Sequence, residues 1–196
     1  MAPEDDRFER AIAEIDRANM GDPFVVLVDG QPRPKELAHA ELMTHWVRKL
    51  DPSATQVQLL AARANHLRRW TVPRSSFPDG RAGYLRWRNT LARQHAEEVA
   101  SILTSCGYDP ATIERVEQIV RKERRTSDPQ VQTHEDALCL TFLQTQFSEL
   151  ANRLGEDKTV NVVRKTLAKM SGQAQQEALA LPLADEERRL VELALA

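Results

Sequence analysis

Arginine is concentrated in one short stretch of this sequence. Residues 63–93 contain eight arginines, no lysine and a single acid, Asp79, although the formal net charge of the whole chain is only −2. The guanidinium group carries a planar set of donors that matches the oxygens of phosphate and carboxylate. The stretch therefore indicates a pocket for an anionic ligand.

Aromatic rings lie among these arginines, and the loop 71–81 between them contains two prolines. Prolines lower the entropy lost when a loop is ordered over a pocket, and loops held on rigid helices often carry binding groups. The predicted ligand-binding residues are Arg69, Trp70, Arg74, Tyr84, Trp87 and Arg88. The alternative for the rings is ordinary packing in the core or at its rim.

Two histidines, His66 and His95, belong to the same region. At helical spacing His66 lies between an apolar face and neighbouring cations, and His95 points inward with Leu91 and Val99. Because imidazole titrates near neutral pH, both are predicted to act as acid and base or as metal ligands. The alternative is that they are core histidines with satisfied hydrogen bonds.

Adjacent acids, Glu135 and Asp136, border an apolar face near the start of a predicted helix. A buried carboxylate needs a cation or a metal as partner, so both are predicted to be catalytic, and Asp136 is a candidate metal ligand with His66 and His95. The alternative is stabilisation of the helix dipole. His134, beside them, is predicted to be exposed.

The helix predicted at 34–50 offers weaker ligand candidates. Glu36, His39 and Glu41 lie in its first turns, and His39 shares the inward stripe of Leu42 and Trp46. His39 is therefore a further candidate metal ligand, whereas His45 is predicted to lie on the surface.

Composition limits the class of protein. Hydrophobic residues make up 41% and charged residues 29% of the 196 residues, which is typical of a soluble globular chain. The charge balance argues against an extended nucleic-acid surface. No apolar run approaches the roughly 20 residues that span a bilayer, and the N-terminus is acidic and polar rather than a signal peptide. We expect a cytoplasmic protein that does not enter membranes, with Cys106 and Cys139 as reduced, buried thiols.

Periodicity predicts a single all-α domain over residues 1–196 with seven or eight helices. One extended segment at 24–28 is expected to be a connector or one arm of a small hairpin. Asp-Pro pairs at 109–110 and 128–129 predict helix N-caps with proline at the first helical position. The predicted helices span 4–20, 34–50, 51–70, 82–106, 110–124, 129–154, 156–171 and 185–195.

The chain resembles a bacterial and fungal family of unknown function numbered 4202. The resemblance covers nearly the whole sequence, and it implies almost no biochemistry. The segments that carry it are AARANHLRRWTVPRSSFPDGRAGYLRWRNTLARQHA, SCGYDPATIERV, DPQVQTHEDALCLTFLQTQF, VRKTLAKMS and ALALPL.

A more distant resemblance is to the HD superfamily of helical metal-dependent phosphohydrolases. In that superfamily a histidine, a His-Asp pair and a later aspartate surround one or two metals. His39 stands at the first position, and LLAARANHLRR is similar to the segment of the pair. Leu67 replaces the aspartate of the pair, and Thr141 stands near the last aspartate's register. The resemblance therefore implies a metal site that is either rebuilt or lost.

Two functions follow as alternatives. The first is a hydrolase of a small phosphorylated or otherwise anionic metabolite, with a divalent metal. The second is a non-catalytic descendant of the same fold that binds an anionic ligand or a partner protein. A third interpretation of the arginines is that they pair with surface acids in a structural network.

Overall fold

The computed structural model describes residues 4–28 and 30–195. These residues form ten α-helices and one two-stranded hairpin, so the predicted all-α class is confirmed. In chain order the elements are α1 (Glu4–Met20), β1 (Val25–Val28), β2 (Gln31–Pro34), α2 (Lys35–Leu50), α3 (Gln56–Arg63), α4 (Gly80–Ser105), α5 (Pro110–Val120), α6 (Pro129–Thr145), α7 (Phe147–Leu154), α8 (Glu156–Leu167), α9 (Gly172–Leu179) and α10 (Asp185–Leu195).

Helix α2 is central to the packing. It packs against α3 and α6, while α5 packs against α3 and α4, and α8 packs against α10. One cluster of buried apolar side chains runs from Phe8 in α1 to Ala194 in α10. No helix of the described residues combines the length and the apolar character that crossing a bilayer requires.

Local capping explains where several helices begin. Asp109 accepts a hydrogen bond from the Thr112 amide at 3.0 Å, and Asp128 accepts one from the Gln130 amide at 3.1 Å. Proline follows each of these aspartates at the first helical position, so both predicted caps are confirmed.

The helix predicted at 51–70 is much shorter in the structure. Helix α3 ends at Arg63, and residues 64–68 form turns in which Arg68 has a φ of 49°. Two distant side chains stabilise this break: Asn19 accepts a hydrogen bond from the Arg68 amide at 3.1 Å, and His95 Nδ1 donates to the Leu67 carbonyl at 2.8 Å. Such partners lie outside any local sequence window, so periodicity alone predicts a continuous helix.

The region predicted as one helix at 129–154 is two. Gln146 has φ and ψ of −127° and −4°, which separates α6 from α7. Helix α9 is an additional short helix that the sequence pattern did not reveal, and Ser171 caps it by accepting from the Ala174 amide at 3.2 Å.

The extended segment predicted at 24–28 is one arm of a hairpin. Strand β1 pairs antiparallel with β2, with Val26 opposite Arg33 and Leu27 opposite Pro32. Strand β2 contains Pro32 and Pro34. They are tolerated within a strand because proline at an edge can direct its missing donor away from the partner.

A candidate metal and anion site

Three imidazoles from three parts of the chain lie close together. His39 lies on α2, His66 in the turn after α3, and His95 on α4. The His39 and His66 rings stack with centroids 4.4 Å apart, and the His66 and His95 centroids are 6.0 Å apart. The structure thus brings together the three histidines that the sequence identified as candidates.

The turn at 64–68 sets the position of His66. His95 Nδ1 donates to the Leu67 carbonyl, so the broken helix end is tied directly to α4. Because Nδ1 is the donor, the Nε2 atom of a neutral His95 carries a lone pair. That atom is buried and has no hydrogen-bond partner among the described residues.

A hydrogen-bonded chain sets the tautomer of His66. Its Nε2 atom lies 3.1 Å from Arg69 Nη1, and its Nδ1 atom lies 3.1 Å from Glu36 Oε2. Arginine stays protonated in proteins and can only donate. His66 Nε2 therefore accepts from Arg69, and the hydrogen on His66 Nδ1 is donated to Glu36. Glu36 is thereby joined to the histidine cluster.

Glu36, His39 and His66 could hold a metal ion. Each offers one ligand atom, and these atoms all lie within 4.8 Å of one another. Within residues 4–28 and 30–195 this is the one such group of three, and we call it the ligand trio. His39 Nδ1 is buried without a hydrogen-bond partner in the described part of the chain, and His39 Nε2 lies 3.4 Å from Gln146 Nε2. Imidazole with carboxylate suits divalent transition metals.

Burial keeps these histidines neutral. It lowers the pKa of His39 to about 3 and that of His95 to about 4, and it holds the pKa of His66 well below its usual range. The Arg69 charge adds to the effect at all three. Neutral imidazole is the form that binds metal.

Burial also favours the neutral form of Glu36, and for a carboxyl this means a raised pKa. Burial raises the pKa of this carboxyl to about 7, against the lowering effect of the Arg69 charge. An acid with such a pKa lies in an environment that compensates its charge incompletely, which is a feature of functional sites.

His39 also lines a groove with a cavity volume of about 630 Å³. Helix α2 lines it through residues that include Lys35, Ala38 and Leu42, and β1 lines it as well. Gln144–Gln146, at the junction of α6 and α7, also line it. The ligand trio is therefore adjacent to a space that can admit a small molecule.

The predicted arginine and aromatic ligands are divided by the structure. Arg69 joins the cluster, with its guanidinium 4.7 Å from the centre of the Trp87 ring. Arg74 instead donates to two carbonyls of its own loop, at Phe77 (2.8 Å) and Pro78 (3.0 Å). Its guanidinium therefore stabilises the loop.

The remaining predicted ligands lie at the surface or against the loop. Arg88 is exposed and contacts the Tyr84 hydroxyl at 3.3 Å, and Tyr84 itself is 43% exposed. Trp87 Nε1 donates to the Val72 carbonyl at 2.8 Å, which packs the loop onto α4. Trp70 is half-buried. The Arg88 charge still lowers the pKa of His95, after burial and the charge of Arg69.

Other arginines of the dense stretch pair with acids. Arg63 binds both carboxylate oxygens of Asp16, at 2.5 and 2.7 Å. Arg93 lies 3.8 Å from Glu97 one helical turn away. The interpretation that the arginines pair with acids in a structural network therefore holds for part of the stretch.

The two predicted acids of α6 have partners outside the ligand trio. Glu135 Oε2 lies 2.6 Å from Lys122 Nζ. Burial acts to raise the pKa of Glu135, but the charges of Lys122 and Lys169 outweigh it, and the pKa is lowered. Asp136 accepts from the Ser171 amide at 2.9 Å and from Gln132 at 2.8 Å. The predicted metal-binding set does not form such a group in the described residues, because its ligand atoms do not all lie within 4.8 Å of one another. That set was His66, His95 and Asp136.

The prediction that His134 is exposed was wrong. Its side chain is 1% exposed, and Nε2 lies 3.0 Å from Asn65 Oδ1. Burial lowers its pKa to about 3. The adjacent acids made this end of α6 look solvated, but α6 packs against α2 and α3.

Sequence reasoning gave Glu36 little weight and missed Lys122. Glu36 precedes His39 by three residues, so a shared helical face was available as a signal. Lys122 has a φ of 58° and a side chain only 19% exposed. Burial lowers its pKa, against the effect of Glu135. Residues 121–125 are all charged, which is typical of an exposed segment, so the sequence does not indicate that Lys122 is largely buried.

Comparison with known proteins gives one match. A family model described as a domain of unknown function, DUF4202, matches residues 9–191. No curated protein and no solved structure matches the chain.

Proposed function

The chain belongs to the DUF4202 family, and we propose that it is a metal-dependent hydrolase of a small phosphorylated or otherwise anionic metabolite. The observation that carries this proposal is the buried ligand trio of Glu36, His39 and His66, with His39 opening onto the groove. Three protein ligands with positions left for water or substrate are the arrangement of a catalytic rather than a structural metal site.

The ligand trio fits a divalent transition metal. A bound cation would compensate the Glu36 carboxyl, whose pKa burial raises, and would give His39 and His66 a shared partner. A bound metal would supply a Lewis acid that polarises a phosphoryl oxygen and lowers the pKa of a bound water.

The surrounding cations would hold the anionic substrate. Lys35 lines the groove at the start of α2, and Arg69 lies beside His66. His95, whose buried Nε2 lone pair is free, is the candidate proton acceptor next to the trio. Glu135 acts indirectly in this proposal, by holding Lys122 through their ion pair.

The likeness to HD phosphohydrolases is part of the same proposal. His39 and His66, which stand at the first two histidine positions of that pattern, stack in the structure. Leu67, at the position of the paired aspartate, is fully buried in the core. Glu36 provides the carboxylate in its place, so we propose a rebuilt site.

A non-catalytic anion-binding module is the second candidate. Arg69 contacts the His66 Nε2 atom, and His95 is tied to the Leu67 carbonyl. If these bonds persist, the histidines present Arg69 to an anion and hold no metal.

Metal binding tests the first candidate. We expect purified protein, stripped with a chelator, to gain melting temperature on addition of Mn²⁺ or Zn²⁺ because a ligand of the native state stabilises it. His39→Gln should abolish that gain. His45→Gln is the matched control, since His45 lies on the same helix and lines the same groove but is outside the trio.

Hydrolysis separates the two candidates. Released phosphate is measured from a panel of phosphate monoesters with and without Mn²⁺. The first candidate requires metal-dependent turnover that His39→Gln lacks and His45→Gln keeps. Stabilisation by phosphate alone, with no metal gain and no turnover, would establish the binding module instead.

A further inference from the structure

Among residues 4–28 and 30–195, no strand pairs with the outer edge of β1, so its backbone groups are open to pairing. The Lys35 amide donates to the Phe24 carbonyl at 2.9 Å, and Val25 lies opposite Pro34 in the register. Antiparallel pairs alternate between bonded and non-bonded positions. Val26 and Val28 therefore direct their backbone groups toward β2, whereas Val25 and Leu27 direct theirs outward.

The two edges of the hairpin differ in kind. The outward positions of β2 are Pro32 and Pro34, which have no amide hydrogen and cannot donate to another strand. The outward positions of β1 keep both donor and acceptor. Proteins usually protect exposed edges with proline or charge, and here only the β2 edge has that protection.

The open edge faces the groove. Among the described hairpin residues, Val26, Leu27 and Val28 line it, and no residue of β2 does so. Helix α2 lines the groove as well, with apolar Ala38 and Leu42 beside the polar residues Lys35, Glu41 and His45. An extended chain laid along β1 would find backbone partners on the strand, and both apolar and polar side chains on α2.

We propose that this groove binds an extended peptide segment of another protein, which adds to the hairpin as a third strand. Main-chain hydrogen bonds to Val25 and Leu27 would supply affinity, and alternate apolar side chains of the peptide would contact Ala38 and Leu42. The proposal goes beyond the proposed hydrolase and does not depend on a metal.

A peptide fits this edge better than a second copy of the chain. A space of about 630 Å³ accommodates a few side chains of one extended segment, whereas a second copy would bring a whole hairpin to this edge. The other face of β1 supports the same occupant, since Val25 and Leu27 are 65% and 75% exposed. These side chains lie beside the positions where outward residues of an added strand would pack.

Selection from a phage library of random octapeptides tests the proposal, with the metal-stripped full chain as bait. Selected peptides are then measured by fluorescence polarisation against wild type, Leu27→Pro and Leu27→Ala. Leu27→Pro removes an outward amide hydrogen and leaves the pairing to β2 intact. We expect it to weaken binding by about tenfold or more, as loss of one hydrogen bond predicts, while Leu27→Ala keeps the amide and most of the affinity.

A second measurement avoids dependence on the folding of Leu27→Pro. Selected peptides are N-methylated at successive positions and tested on wild type, where alternate methylations should abolish binding and the intervening ones should not. Three results would overturn the proposal: no peptide enriched, equal loss at all methylated positions, or a concentration-dependent dimer that Leu27→Pro dissociates. Peptide binding is measured on metal-stripped protein and does not require the ligand trio to hold a metal, so failure here is distinguishable from failure of the hydrolase proposal.

Discussion

Two polar clusters of this molecule differ in how completely their polar atoms are hydrogen-bonded. Beside the start of α6, Arg115 binds both oxygens of Asp128 at 2.7 and 2.9 Å, and it donates to Gln130 Oε1 at 2.7 Å. Every nitrogen of that guanidinium has an acceptor. Around the ligand trio, by contrast, His39 Nδ1 and His95 Nε2 are buried without partners in the described chain.

The difference separates stabilising polar groups from functional ones. The Arg115 cluster lowers the pKa of Asp128 through the Arg115 hydrogen bond, so the ionised acid is favoured in the folded state. Burial instead raises the pKa of Glu36 to about 7, so its ionised form is disfavoured there. Buried polar atoms without a partner require an explanation, and beside the ligand trio a bound ligand would supply one.

The strongest way to break this comparison is Glu36→Gln. In metal-free protein the change should stabilise the fold by roughly 3 kcal/mol at pH 8, because a buried carboxylate with a raised pKa is replaced by a neutral amide. The same substitution should remove the stabilisation by Mn²⁺ or Zn²⁺. Urea unfolding with chelator and thermal shift with metal measure the two effects.

The stability gained through Glu36→Gln should increase with pH. With a pKa of about 7 folded and 4.5 as the ordinary value, Glu36 costs nothing below pH 4.5. The cost grows as pH rises from 4.5 to 7 and is constant above that. The gain from Glu36→Gln should therefore vanish near pH 4.5. A loss of stability at pH 8 would show that the carboxylate is well paired, and the comparison would fail.

Asp128→Ala should have a smaller effect of opposite sign. We expect a loss of about 2 kcal/mol, because the N-cap of α6 and the Arg115 ion pair disappear together. Asp109→Ala is the control, since it removes a similar cap without an ion pair and should cost about 1 kcal/mol. Equal losses in urea unfolding would mean that the Arg115 pair adds nothing. Neither variant should alter the metal-induced shift.

Arg93→Ala should have the smallest effect. Arg93 and Glu97 are 70% and 66% exposed, so their pair is worth at most about 0.5 kcal/mol. Arg63 comes from the same arginine-rich stretch but is only 13% exposed. Arg63→Ala should cost at least about 1 kcal/mol because Asp16 loses its partner. Comparable unfolding midpoints for the two variants would remove the distinction between surface and half-buried arginines.

Much of the fold was predictable because it follows from local chemistry. Asp109 and Asp128 cap helices within three residues of themselves, and Gly155 ends α7 in a conformation with a φ of 76°. The inward faces that carry His39 and His95 also follow from helical spacing. These features depend on neighbours within a turn or two, which any window of sequence contains.

The site was only partly predictable, because its partners come from distant parts of the chain. His66 was expected on a helix, yet contacts to Asn19 and His95, each 28 or more residues away, end that helix earlier. Asp136 was expected to bind metal, but it caps the backbone at Ser171. The choice of Glu36 as the carboxylate beside His66 joins residues 30 positions apart.

The sequence by itself determined an all-α chain with a cationic, histidine-bearing region, because helix periodicity and capping act over short distances. Tertiary structure alone decided which charges are compensated and which are left open. Hydrogen bonds and burial depend on what packs beside a group after folding, so Lys122 comes to neutralise Glu135 while His39 Nδ1 is buried without a partner among the described residues.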